Sequence, residues 1–236
     1  MKGKTVVFIL GTILLAPSLL FGMASFDFPV VAPVVSFVQG DVTVKGDGAA
    51  EWVAAEVGRL LASGDTIKTG SSSRAEISCA TGKMRLYENT VIIVPEVVDE
   101  GDKKDIRQVD LDDGTGLFRI RKRGVENGFE VRTSNIIAGV KGTLFGVQHG
   151  KKERYSKVAV YRGVVAVSDT ERTPGTLTLL RRGDVLEVIK RSGFGEAEEF
   201  GPDNVWWKWE KLDSLILNPP DPEKDGTDSG GSGHQE

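Results

Sequence analysis

The chain has 236 residues, with 39% hydrophobic and 27% charged side chains, the composition of an ordinary globular protein. Thirty basic against 34 acidic side chains leave a formal charge of −4, which excludes an overall field for holding nucleic acid or anionic lipid. One cysteine, Cys79, excludes an intramolecular disulfide or a cysteine-built zinc site, and two histidines, His149 and His234, leave little for imidazole catalysis.

Lys2 and Lys4 precede an apolar run over residues 5–21, and Gly22-Met23-Ala24 puts small residues at the −3 and −1 positions of a cleavage site. This is the three-part pattern of a secretory signal peptide over residues 1–24. An uncleaved membrane anchor is the alternative, although about 17 apolar residues broken by Pro17-Ser18 is at the short limit for a spanning helix. Either way the bulk of the chain is expected to be exported, periplasmic or extracellular, touching membrane only through that segment if it is kept.

From Val34 onward apolar and polar residues alternate in short segments: Val42-Thr43-Val44, Glu76-Ile77-Ser78, Met84-Arg85-Leu86, Leu117-Phe118-Arg119-Ile120 and Phe129-Glu130-Val131-Arg132. A period of two means one covered face and one wet face, as in antiparallel sheet. Two fuller runs, Val91-Ile92-Ile93-Val94 and Val164-Val165-Ala166-Val167, are expected to be strands buried on both faces. Gly-Asp, Asp-Gly, Gly-Lys and Asn-Gly pairs between segments supply hairpin turns about every 8–12 residues. Residues 34–190 therefore read as one all-β domain, an antiparallel sandwich of jelly-roll-like form. Only residues 51–62 offer a helical turn or two, with Trp52 capping the core. Cys79 falls on the apolar side of Ala75-x-Ile77-x-Cys79 and is expected to be a buried thiol. Leu60-Leu61-Ala62-Ser63-Gly64-Asp65 and Leu179-Leu180-Arg181-Arg182-Gly183-Asp184 echo each other, by shared hairpin chemistry or by internal repetition.

The last element differs. Asp203 can cap a helix over residues 202–218, whose Val205, Trp209, Leu212 and Ile216 make an amphipathic face before Asn218-Pro219-Pro220 stops it. Trp206 and Trp209 are expected to face the β-domain. Trp207, beside Lys208 and Lys211, is expected to be exposed and to offer a partner or membrane-interface anchor. Residues 219–236 are polar, Gly/Ser-rich and expected to be disordered.

The run Val131-Arg132-Thr133-Ser134-Asn135-Ile136-Ile137-Ala138-Gly139-Val140-Lys141-Gly142-Thr143-Leu144-Phe145-Gly146-Val147 resembles the central motif of the FecR domain family, roughly V-x-T-P-x-A-x-x-A-V-R-G-T-x-F-x-V. Lys157 through Val165, with Gly163, is similar to the family's following strand. Gly40-Asp41-Val42, Leu60 through Thr69 and Gly82 through Tyr87 also fit, so the resemblance covers about residues 34–188. Thr133, Ala138, Val140, Lys141, Gly142, Thr143, Phe145, Val147 and Gly163 carry it; Ser134 and Lys141 stand where the family usually has Pro and Arg. Read as residues, Gly139 and Gly142 bracket a tight hairpin between apolar strands, and Lys141 projects from it. The resemblance implies one of two architectures. In one, a FecR protein spans the inner membrane, controls a sigma factor from its cytoplasmic segment and hears a TonB-dependent receptor outside. In the other, an exported FecR domain follows a signal peptide. Only Met1 to Lys4 precede the apolar run, so the second is expected.

Enzymatic readings find little. Gly139-Val140-Lys141-Gly142-Thr143 has Lys-Gly-Thr where a phosphate loop needs Gly-Lys-Ser/Thr. Asp110, Asp112 and Asp113 before Gly114 lack the acidic twelfth ligand of a calcium loop, where Arg121 stands, and read as a solvated acidic turn. No metal or cofactor is expected. Arg119-Ile120-Arg121-Lys122-Arg123 is the one dense basic run. It reads as alternating exposed Arg at a hairpin guarding a sheet edge, or as a contact for anionic envelope polymer or lipid. The sequence thus points to a non-enzymatic, exported binding module of the cell envelope, with Arg119, Arg121, Arg123, Trp207, Lys208 and Lys211 as candidate contacts for an unknown envelope protein or polymer. The alternative is a membrane-anchored periplasmic sensor of FecR type.

Overall fold

A computed structural model describes residues 32–99, 104–122, 128–173, 175–189 and 193–199. The signal segment, Arg123, the Trp-bearing segment 202–218 and the tail lie outside the described residues. In chain order the strands are β1 (Val34–Gln39), β2 (Val42–Lys45), β3 (Val53–Ala54), β4 (Thr66–Thr69), β5 (Arg74–Cys79), β6 (Gly82–Leu86), β7 (Val91–Ile93), β8 (Val97–Asp99), β9 (Lys104–Ile106), β10 (Gln108–Ile120), β11 (Phe129–Arg132), β12 (Ile136–Val140), β13 (Leu144–Gly150), β14 (Tyr155–Arg162), β15 (Val164–Asp169), β16 (Thr178–Arg181), β17 (Asp184–Ile189), β18 (Gly193–Phe194) and β19 (Glu198–Glu199). No helix occurs among the described residues.

Apart from the antiparallel β8–β9 hairpin, the strands form two sheets sharing one long strand. Sheet I runs β1-β5-β6-β10-β13-β14-β17, with β18 and β19 on the far side of β17. Sheet II runs β3-β2-β4-β7-β10-β11-β12-β15-β16. Pairing is antiparallel throughout except between β10 and β11, which are parallel. β10 serves sheet II through Asp113 and sheet I from Gly114 onward. Gly114 makes that bend, at φ +92° and with its α-carbon packed so close to Thr90 that a Cβ would lie 2.5 Å from the Thr90 Cα.

The core lies between the sheets. Phe118 stacks on Phe145 in the next strand at 5.3 Å between ring centroids, and meets Phe129 of the other sheet at 6.1 Å. Cys79 is buried there, and burial pushes its thiol up to about 12. A second apolar group, Leu117, Leu144, Ala159, Tyr161 and Val185, forms a separate cluster, Leu117 pointing away from its inward neighbour Phe118.

Several expectations change. Val91–Ile93 and Val164–Asp169 alternate instead of burying both faces: Ile92 and Val165 are inward, Ile93 is half-buried and Val164 is 44% exposed. A two-layer sandwich covers one face of each strand, so β-branched residues outside the core reflect strand preference, not burial. Residues 51–62 form no helix. Gly58 turns at φ +94°, and the segment's backbone pairs with β1 through Gly58 N–H to Val35 O (2.8 Å) and Val35 N–H to Arg59 O (2.9 Å). Trp52 is 42% exposed under the Lys45 ammonium and does not cap the core. Asp110, Asp112 and Asp113 lie inside β10, where a register shift opens the strand. Asp112 pairs with the Lys151 ammonium at 2.7 Å. The two echoing segments share one turn. In each, a glycine of positive φ precedes an Asp whose carboxylate accepts the N–H three residues back: Ala62 N–H at 3.0 Å to Asp65, Arg181 N–H at 2.7 Å to Asp184.

Candidate binding cleft at the basic end

Five motif residues, Val140, Lys141, Gly142, Thr143 and Gly163, meet at one end of the sandwich. β12 belongs to sheet II and β13 to sheet I, so the turn at Lys141–Thr143 is a corner between sheets and not the expected hairpin. Gly142 holds φ +79°, and a Cβ there would lie 2.8 Å from the Lys122 Cα. Thr143, buried, donates its hydroxyl to Val164 O at 3.0 Å and accepts the Ile120 N–H at 2.9 Å. Gly163, at φ +88°, has no room for a Cβ beside the Thr143 hydroxyl. Ala138, Val140, Phe145 and Val147 are core residues, and Thr133 is buried at the opposite end. Most of the motif therefore builds the corner and the core; Lys141 is the member left exposed.

The basic run arrives at this corner. β10 is flanked by β6 and β13, so Arg119 guards no edge, and the chain continues into β11, parallel to β10, so Arg119–Lys122 belong to a crossover and not a hairpin. Arg119 is half-buried, while Arg121 and Lys122 are exposed. Burial holds the Arg119 guanidinium below its ordinary value, and the positive charges of Arg162 and Arg121 add to that. Cations from β10, the Lys141 corner and the end of β14 thus share one end of a chain that is acidic overall.

Beside them a cleft of about 960 Å³ opens on the outer face of sheet II. Its floor is a row of in-register positions on neighbouring strands, Glu130, Gly139 and Ala166, in which two members are glycine and alanine. A Cβ on Gly139 would meet nothing nearer than Ala166 O at 3.8 Å, so the floor is open space and not a packed contact. Lys122, Lys141 and Arg107 stand around it with Glu96, and Pro95 and Val98 form a wall. That wall leads into the β8–β9 hairpin, tied down by buried Asp105, which accepts the Thr81 hydroxyl and the Thr81 N–H at 2.9 Å. Such a trough suits a flat or extended group carrying negative charge. Of the candidates read from sequence, Lys141, Gly142 and Gly163 border it with Val140; Arg119 and Arg121 are not among its lining residues, and Arg123, Trp207, Lys208 and Lys211 fall outside the described residues. Sequence reasoning missed Gly139 and Ala166 as a floor and Arg107 and Glu96 as a rim. The signal available was two small residues at outward positions between Ala138, Val140, Val165 and Val167.

The opposite end is built from hydroxyls. Thr133 Oγ1 accepts the N–H groups of Asn135 and Ile136, each at 3.1 Å, and its hydroxyl reaches Ser156 Oγ at 2.8 Å. Buried His149 donates Nδ1–H to Tyr155 O at 2.8 Å, and its Nε2 lies 3.2 Å from Ser134 Oγ, whose hydroxyl donates to Asn135 Oδ1 at 3.0 Å. Burial holds the imidazole below its ordinary value.

Residues 65–166 match the model of the FecR protein family, so the resemblance carried by the motif holds over the β4–β15 region and includes the corner, the basic run and the cleft floor. No curated protein matches the chain. Two crystal structures of a protein from Parabacteroides distasonis, described as a "putative anti-sigma factor", are similar at 22% and 21% identity. Each alignment covers 57% of this chain and 59% of that one, with a TM-score of 0.47, so the chain spans less than two thirds of the length of the structures it resembles.

Proposed function

We propose that this chain is a FecR-type regulator of signal transduction, anchored by residues 5–21 with its β-domain outside the inner membrane, and that the domain receives a partner protein in the cleft over Gly139. The observation that carries the reading is the coincidence of the FecR match with the cleft: Lys122, Gly139, Lys141 and Gly142 all lie within residues 65–166. FecR proteins are regulatory rather than enzymatic, and a regulator needs shape and charge more than a nucleophile. The cleft supplies both, with a floor low enough to admit a partner's backbone and cations to fix its orientation.

The test places a photo-crosslinking residue at Lys141 in the full chain in cells, with the same probe at Lys152 on the opposite end as control. One protein captured at 141 and absent at 152 is expected. Gly139→Leu fills the floor without backbone strain, because Gly139 has ordinary φ and a Cβ fits. It should abolish that capture with an unchanged melting temperature, and should alter the same transcripts as deletion of the gene. A captured partner that Gly139→Leu leaves bound, or an unaltered transcript profile, would sink the reading.

A further inference from the structure

We infer that the basic end is a docking face for an anionic phospholipid bilayer, so that the domain sits on the membrane with its polar end turned away. Three segments separated in sequence build the face. Arg119, Arg121 and Lys122 come from the end of β10, Arg162 closes β14, and Arg181 opens the turn into β17. Strand pairing holds these segments side by side: Arg119 pairs with Leu144 and Leu144 with Arg162, and Gly183 N–H meets Val160 O at 2.8 Å. Among the described residues none of these five cations has a carboxylate at ion-pair distance. Arg119 is disfavoured as a cation by its burial and by Arg162 and Arg121, which is the environment a polyanionic surface relieves. Val164, 44% exposed and paired with Arg181, adds an apolar contact at headgroup depth.

The bilayer is preferred as occupant because of where the chain enters the domain. Val34 pairs with Ser78, one residue before the β5–β6 turn, and Gly82 across that turn pairs with Ile120. The domain therefore begins at the basic end. Residues 22–33 separate it from the apolar run, a span of about 40 Å at full extension. At the other end Asp112, Asp113, Glu153, Asp169 and Glu171 lie among Lys151, Lys152, Arg154 and Arg172, with Lys151 paired to Asp112, so acids and bases nearly balance there. A net charge of −4 gives no overall attraction to anionic lipid, but five cations without a carboxylate at ion-pair distance meet at one end while charges balance at the other, which turns the basic end toward the membrane.

The inference rests on the anchored form of the function proposed above, and the experiment separates the two. A photo-crosslinking residue is placed at Arg181, outside the cleft, or at Lys152 in the full chain in cells, and the membranes are then washed with alkaline carbonate. Phospholipid adducts at 181 and none at 152 are expected. Arg119→Glu with Arg121→Glu should lower the adducts at 181 about tenfold or more while melting and carbonate resistance stay unchanged. Carbonate-resistant chain with no lipid adduct at 181, or with equal adducts at both positions, overturns the docking face and leaves the anchor standing. Chain released by carbonate without adducts overturns both. Protein adducts alone at 181 give the basic end to a protein partner and overturn it too.

Discussion

At the polar end of the sandwich, loop backbone is satisfied by side chains: Thr133 takes two amides, Ser73 Oγ takes the Asp41 N–H at 2.8 Å, and Thr90 Oγ1 takes the Thr115 N–H at 2.9 Å. At the basic end carboxylates also close loops, Asp105 taking the Thr81 N–H and Asp184 the Arg181 N–H, but Arg119, Arg121, Lys122, Arg162 and Arg181 have no carboxylate at ion-pair distance among the described residues. The first arrangement spends its polar groups on the fold; the second leaves them for another molecule. Substitutions at the two ends should therefore differ in kind, costing stability at one and binding at the other.

The largest contrast is between two glycines. Gly114→Ala at the polar end puts a Cβ against Thr90 backbone at an unfavourable φ, and about 3 kcal/mol or more of stability should be lost. Gly139→Leu at the cleft should cost under about 1 kcal/mol, because nothing lies within 3.8 Å of its Cβ. Urea titrations of both variants measure the difference. Equal losses would mean that the cleft floor is a packed surface after all. Thr133→Val comes next. It removes the acceptor of the Asn135 and Ile136 amides and one of the two contacts of Ser156 Oγ, at about 2–3 kcal/mol, again read from the urea midpoint.

Alternation at Val42–Lys45, Gly82–Leu86 and Phe129–Arg132 was enough to read an all-β sandwich, because a two-layer fold writes its covered face into every second residue. The connections were not legible. Lys141-Gly142 reads as a hairpin from its glycines, since local turn chemistry is the same whether the next strand joins the same sheet or the facing one. The basic run was visible, but not its neighbours: Arg162 reaches Arg119 through strand order across sheet I, which no local pattern encodes. Gly139 was seen as a turn residue when it is a floor, because small residues mark both.

The polar end should also carry the chain's sensitivity to mild acid. His149 is held below its ordinary value by burial, with the charges of Asp112 and Asp113 opposing that and Lys151 adding to it. The unfolded chain then binds a proton that the folded chain refuses, so stability is fully present above the unfolded value near 6.5 and falls as pH drops below it. Melting followed from pH 8 to pH 5 should decline over that window, and His149→Gln should flatten the decline. An unchanged decline in the variant would move the acid sensitivity to other groups.

The smallest effect is expected at the basic end. Arg121 is exposed and makes no ion pair among the described residues, while its charge adds to the disfavour of Arg119. Arg121→Glu removes a repulsion and exposes no buried group, so stability should change by no more than about 0.5 kcal/mol, in the stabilising direction. Because the repulsion acts between partly solvated charges, the gain should shrink as salt rises from 20 mM to 500 mM and the Debye length falls from about 20 Å to about 4 Å. A loss of stability at low salt would show that Arg121 is held by the fold. The two ends would then differ in composition but not in purpose, and the cations would no longer mark a surface set aside for binding.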